Sequence, residues 1–274
     1  MPVIEIRDVW FSYRPDLEPA LRGVSLTFER RTSVAVIGRN GGGKTTLMKH
    51  LNGLLRPTRG SVLLDGKDIA GRSVASIAHQ VALSFQNPDD QLFSRSVRAE
   101  VAFGPRNLGL PEDRIERNVE HALGLLDLSD VAEVNPADLS FSLRKRVAVA
   151  SAVAMDTDVL VLDEPTTGQD ARGVELLEGL VADRLAEGKT VITVTHDMDF
   201  VARNFERVIV ISGGVVRADG TPEAVFSEEG ALREAEVEAP LPLRLARGLG
   251  WSHCPLTQEA FIQQLADETR ASGA

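Results

Sequence analysis

The eight residues Gly38-Arg39-Asn40-Gly41-Gly42-Gly43-Lys44-Thr45 constrain this chain more than any other stretch. They fit GxxxxGK(S/T) without a mismatch. Glycines in such a loop let backbone N–H groups turn inward around phosphate oxygens. The following helix aims its positive end at the same anion. Lys44 is expected to reach the β- and γ-phosphates, and the Thr45 hydroxyl to ligate Mg²⁺, with Thr46 beside it. At average residue usage a chance match is on the order of one in a hundred. Context argues further against a plain Gly-rich turn, because the β-branched run Ser33 to Ile37 precedes the loop and a helical segment, Lys44 to about Leu54, follows.

A second constellation lies downstream. Val159-Leu160-Val161-Leu162 runs straight into Asp163-Glu164. Two acids ending a wholly apolar strand are costly in a plain core. They make sense at the C-terminal edge of a parallel sheet, where ligands gather. Asp163 would then hold Mg²⁺ through water, and Glu164 would polarise an attacking water as general base.

Around these anchors the periodicity is mixed. Residues 1–30 alternate apolar and polar, as half-exposed strands do. Ser61 to Leu64, Val81 to Phe85, Val159 to Leu162 and Thr190 to Thr195 read as strands, and Gly213-Gly214 signals a hairpin between Val208–Ile211 and Val215–Arg217. Pro88 to Met155 reads as mainly helical, including Arg114 to Leu126 and Leu143 to Ala154, and a further helix spans Arg172 to Ala186. Strands alternating with helices imply a largely parallel sheet with helices on its faces. After about Ala231 comes a Glu-, Leu- and Pro-rich tail ending in a short amphipathic helix near Gln258 to Thr269.

Several function classes recede. The net charge of −10 argues against a nucleic-acid partner. A single cysteine, Cys254, leaves no internal disulfide and no multi-cysteine zinc site. No apolar run approaches the roughly 20 residues that span a bilayer, and the N-terminus lacks a secretory signal's pattern. The expected place of work is therefore cytoplasmic, with any membrane role supplied by a partner.

With both anchors in place, the chain resembles the ATP-binding cassette (ABC) family over nearly all its length. Further family markers occur in order: Tyr13 where an aromatic stacks on adenine, Gln86 at the Q-loop position that contacts Mg²⁺ and senses the membrane partner, Thr167-Gly168-Gln169-Asp170 at the D-loop, and His196 as the switch histidine. The run Phe85 to Phe93, followed by Val101 to Leu110, is similar to ATPases of energy-coupling factor transporters, which import vitamins or transition-metal ions such as cobalt or nickel. The resemblance implies an α/β fold: a P-loop NTPase (RecA-like) core with an N-terminal antiparallel β subdomain, an inserted helical subdomain and a short C-terminal extension. The ATPase domain would cover 1–230, the helical insertion about 88–157, and the extension 231–274 would help two ATPases pair. Implied partners are a second ABC ATPase, a transmembrane coupling protein and a membrane substrate-binding subunit, at the cytoplasmic face of the membrane.

One departure stands out. The family signature LSGGQ is here Leu139-Ser140-Phe141-Ser142-Leu143, its frame secured by Arg146-Val147-Ala148. In the family, this segment closes over ATP held by the other subunit. Ser140 survives as a ligand to that ATP, but Phe141 and Ser142 replace glycines that allow close backbone approach. The intact phosphate loop, Glu164 and His196 beside an altered signature imply an asymmetric heteromeric pair with one competent site; a homodimer would have two altered ones. Alternatively, Phe141 and Leu143 pack against a membrane partner. Rival readings are a nucleotide-binding regulatory subunit without hydrolysis, an ABC ATPase of another transporter type, and a DNA-repair or translation cassette. The last predicts a long coiled-coil insertion or a second cassette.

Overall fold

A computed structural model describes residues 2–272. The chain opens with β1 (Pro2–Phe11) and β2 (Leu21–Glu29), then β3 (Ser33–Ile37) and α1 (Lys44–Leu51). There follow β4 (Arg59–Leu64), β5 (Lys67–Asp68), α2 (Val74–Ala78) and β6 (Val81–Ser84). Three helices come next: α3 (Val97–Asn107), α4 (Glu112–Leu125) and α5 (Phe141–Val153). Strand and helix then alternate through β7 (Val159–Asp163), α6 (Ala171–Ala186), β8 (Thr190–Val194), α7 (Met198–Asn204), β9 (Arg207–Ser212) and β10 (Val215–Gly220). The chain ends with α8 (Pro222–Ser227), α9 (Glu229–Glu234), α10 (Leu241–Gly248) and α11 (Gln258–Ser272).

Two sheets result, in agreement with the expected α/β class. One is antiparallel, in the order β2-β1-β4-β5, and the other runs β10-β9-β3-β8-β7-β6. In the second, β3 pairs in parallel with β8 and β9, β7 with β6 and β8, and only β10 is antiparallel. Every residue of β3, β7 and β8 is buried, as befits strands covered on both faces.

Alternation along these strands feeds two separate cores. Val34 and Val36 face the antiparallel sheet and pack with Ile4, Ile6, Val24 and Phe28. Ala35 and Ile37 face the helices and pack in a cluster with Val101, Val119 and Val149. Each large apolar side chain buried in this way contributes about 1.5–3 kcal/mol. The parallel sheet is thus pinned from both sides, and its C-terminal edge is a firm mount for loops.

Helix starts follow capping chemistry. Ser96, Ser140, Asp170 and Asp197 cap α3, α5, α6 and α7, each accepting from a backbone N–H three residues on. The Ser140 cap starts α5 two residues before the predicted Leu143. The first helix stops at Leu51, short of the predicted Leu54, because Asn52 Oδ1 accepts from Leu54 N and Gly53 turns left-handed. The boundary predicted at residue 230 lies inside α9, and Leu232, Ala235, Leu243 and Leu256 join the same core as the helical insertion. None of the helices among the described residues is long and apolar enough to cross a membrane.

Candidate nucleotide site

The loop Gly38–Gly43 leaves the C-terminal end of β3 and enters α1. Gly38 and Gly43 have φ of 144° and 106°, conformations closed to ordinary side chains. A methyl on Gly43 would come within 2.7 Å of the Ala20 carbonyl, and one on Gly38 would overlap the Ile211 carbonyl. The loop is therefore gripped between the start of β2 and the β9–β10 turn. Gly214 N adds a 3.0 Å hydrogen bond to the Gly42 carbonyl. No side chain caps α1, so its first-turn N–H groups are left for an anion. Lys44 is buried, and its Nζ donates to the carbonyls of Gly38 at 2.6 Å and Arg39 at 3.0 Å. Burial lowers its pKa, against the opposing pull of Glu164 and Asp163. Tyr13 sits at the outer side of α1, its hydroxyl 3.0 Å from Thr46 Oγ1 and its ring largely exposed.

The carboxylate pair ends β7, beside the phosphate loop. Asp163 and Glu164 are both buried, and burial raises the Asp163 pKa, partly countered by a hydrogen bond from Thr45. Asp163 Oδ1 has no partner at all. An orphaned, buried carboxylate oxygen next to a threonine hydroxyl fits a hard divalent cation such as Mg²⁺. Glu164 lies in the left-handed region, φ 52°, a sparse conformation for a non-glycine residue. Its N–H donates to the Val194 carbonyl at 2.8 Å, and its Oε2 lies 2.8 Å from His196 Nδ1. His196 follows β8, and Thr195 Oγ1 lies 3.2 Å from Thr166 Oγ1, tying the two loops together. A cavity of about 880 Å³ spans Gly38, Arg39, Asn40 and His196 and reaches the tail at Glu236 to Leu241, where Arg39 pairs with Glu236.

Gln86 follows β6 with its side chain exposed. What fixes its backbone is Lys145 of α5, which sequence reasoning missed. This lysine is almost wholly buried and donates to the Gln86 carbonyl and, at 3.4 Å, to that of Asp163. Burial brings its pKa down to about 8, despite the opposing charges of Asp163 and Glu164. Gln91 was also missed: its Oε1 accepts from Phe85 N, and its Nε2 donates to the Ala148 carbonyl and Ser151 Oγ. Lys145 sits in an Arg-Lys-Arg run that reads as solvated, so only the fold could single it out. Ser140 caps α5, and among the described residues no hydrogen bond joins it to the phosphate loop.

Thus Gly38–Thr46, Asp163, Glu164, His196 and the Gln86 backbone converge at one edge of the parallel sheet, with Tyr13 at the rim and Ser140 apart. Elsewhere His121, Asp183 and Glu187 approach one another, but Arg184 already pairs with both acids there.

Residues 21–167 match the family described as ABC transporter. The chain is 44% identical over 240 residues to "Energy-coupling factor transporter ATP-binding protein EcfA" of Methanothermobacter thermautotrophicus, covering 87% of this chain and 77% of that one. It is 45% identical to the like-named protein of Methanoculleus marisnigri, covering 91% and 90%. Among solved structures, cbiO1 of Clostridium perfringens, described as part of the ABC transporter complex cbiONQ, superposes with a TM-score of 0.75 at 35% identity, covering 91% of this chain and 99% of that one. With the glycine-rich loop, the acid pair and His196 in the places just described, the chain belongs to the ABC transporter family, as an ATPase that binds ATP with Mg²⁺.

Proposed function

We propose that this chain is the ATP-hydrolysing subunit of an energy-coupling factor-type importer, held at the cytoplasmic face of the membrane. It pairs with a second ATPase whose intact signature roofs the phosphate loop described here. The observation that carries the reading is the Glu164–His196 contact of 2.8 Å beside the unpartnered Asp163 oxygen, a complete hydrolytic set in a chain whose signature is altered.

In this mechanism Gly38 to Thr46 hold the phosphates, with Lys44 exchanging its carbonyl partners for the β- and γ-oxygens. Thr45, Asp163 and Gln86 would hold Mg²⁺, which would supply charge neutralisation of the phosphates. Glu164 accepts the proton of the attacking water, and His196 holds the Glu164 carboxylate and faces the γ-phosphate. Tyr13 offers its exposed ring to adenine, and Ser140 serves the partner's nucleotide rather than its own. The ATPase cassette with its helical insertion shares its core with the extension 231–274, and the extension pairs with the second ATPase. Exposed Leu241, Leu245 and Leu249 on or just after α10 support that pairing role. An apolar groove of about 480 Å³, with Leu54, Val74, Phe85, Phe93 and Phe103 in its wall, supports seating of a helix from the membrane coupling protein. The names of the relatives support the transporter type, and the transported substrate is a vitamin or a transition-metal ion.

The test is affinity purification of the tagged chain from gently solubilised native membranes. A co-purifying ATPase with LSGGQ and small membrane proteins is the expected result. An active complex with this chain as its sole ATPase makes it a homodimer and refutes the asymmetry.

A further inference from the structure

The altered signature is tied to the D-loop of its own chain. Ser142 Oγ donates to Gln169 Oε1 at 3.0 Å, and Gln169 Nε2 donates back to the Ser142 carbonyl at 3.1 Å. Beside this reciprocal pair the Phe141 ring lies against Gly168, so close that a methyl there would come within 2.7 Å of it. The Gln169 amide needs room too, and Gly173 on α6 supplies it: a Cβ at Gly173 would overlap the Gln169 oxygen. Two side chains of the signature thus engage two residues of the D-loop, and two glycines make the space. With glycines at 141 and 142, neither the ring contact nor the hydroxyl bond would exist.

The D-loop end of this contact is rigidly continuous with Glu164. Thr167 N donates to the Glu164 carbonyl at 3.3 Å, and Gln169 N to that of Thr166 at 3.1 Å. Asp170 then caps α6 through Gly173 N at 2.7 Å. Displacing Gln169 therefore pulls on a tight turn whose first residue is the left-handed Glu164. At the other end the contact holds the first turn of α5, where Ser140 Oγ accepts from Leu143 N.

We propose that Phe141, Ser142 and Gln169 form a latch within one chain that makes the start of α5 and the turn behind Glu164 move as one body. Gln169 and Ser142 act here as positioning residues: through the turn behind Glu164 they set where its carboxylate stands. The functional half rests on the reading of α5 as the roof of a partner's ATP, since the latch then reports closure of that roof to the hydrolytic acid of this chain.

The variants are Ser142→Ala, Gln169→Leu and the two combined, in the assembled transporter complex and in the isolated full-length chain. In the complex each single change lowers kcat about three- to tenfold, as loss of one hydrogen-bonded contact allows, with KM for Mg-ATP unchanged. The double variant is no slower than the worse single one, because both remove the same link. Ser142→Thr keeps the hydroxyl and keeps the rate. Additive losses, or a raised KM at constant kcat, overturn the latch. In the isolated chain, Gln169→Leu speeds amide hydrogen exchange at 166–170 and equally at 141–144, with β3 and β7 protection intact as the folding control. Faster exchange confined to 166–170 overturns the proposal. This second readout needs neither partner nor turnover, so failure of the functional reading leaves it decisive.

Discussion

The turn between β9 and β10 contains a matched pair of positions that separates backbone strain from steric crowding. Gly213 and Gly214 both have left-handed φ, 58° and 77°, the pattern of a two-residue hairpin turn. An alanine at either costs about 1 kcal/mol for that conformation. At Gly213 a Cβ meets nothing within 4 Å, so the cost ends there. At Gly214 it would stand 2.7 Å from the Ala20 carbonyl, a backbone atom that cannot swing aside. Forcing the strands apart adds about 1–3 kcal/mol. Gly213→Ala is thus expected to cost about 1 kcal/mol, and Gly214→Ala about 2–4 kcal/mol. The second change also reaches the site, since Gly214 N donates to Gly42 and Arg22 N donates to the Gly214 carbonyl at 2.8 Å. Mg-ATP binding weakens about tenfold in Gly214→Ala, equivalent to about 1.4 kcal/mol of loop displacement, and less than about twofold in Gly213→Ala. Urea unfolding midpoints at constant slope give the stabilities, and titration calorimetry the affinities. Equal losses in the two variants, or unaltered nucleotide affinity in Gly214→Ala, would refute the grip of this turn on the phosphate loop.

Three further outcomes follow from the site and its support. Glu164→Gln is expected to lower kcat about 10²-fold or more while leaving the Kd for Mg-ATP within about threefold, checked by phosphate release and equilibrium binding. Asp163→Asn should raise the Mg²⁺ concentration for half-maximal turnover about tenfold, read from a magnesium titration, because the orphaned oxygen loses its charge. Asp156→Asn tests the pH dependence of stability. Burial alone would raise the Asp156 pKa, but Arg114 at 2.7 Å and Lys189 at 3.3 Å outweigh it and hold the value below the ordinary 3.8. The folded state then binds that proton less readily than the unfolded chain. Its contribution is complete above about pH 4 and fades as pH falls through the folded value. The variant should lose on the order of 1 kcal/mol at pH 7, and its urea midpoint should fall less steeply below pH 4 than that of the parent.

Local chemistry made the phosphate loop, the Asp163-Glu164 pair and the Gly213-Gly214 hairpin legible in the sequence. Each is a short run whose residues act on their immediate neighbours. The parallel sheet was legible for the same reason, since β3, β7 and β8 are short runs dominated by β-branched and aliphatic residues between turn signals. The middle of the chain was read more coarsely. Helix α3 was not singled out, because it carries Gly104 and Pro105 near its end and buries Glu100, whose Oε2 accepts from Phe93 N and Ser94 N. Lys145 was illegible for a different reason: its partners lie 59 and 18 residues away in sequence. The Ser142–Gln169 pair spans 27 residues and exists only because α5 and α6 start side by side.

The shared core beneath the tail bears on how such ATPases can be rebuilt. Cutting at residue 230 severs α9 and strips Leu232, Ala235, Leu243 and Leu256 from the core, so a truncated chain exposes the apolar surface they covered rather than a clean edge. The same cut takes Glu236 from Arg39 in the phosphate loop and the Glu234 carbonyl from Ser212 Oγ. A graft of a foreign tail must bring these groups with it, which makes the extension and the cassette one inherited unit rather than two interchangeable parts.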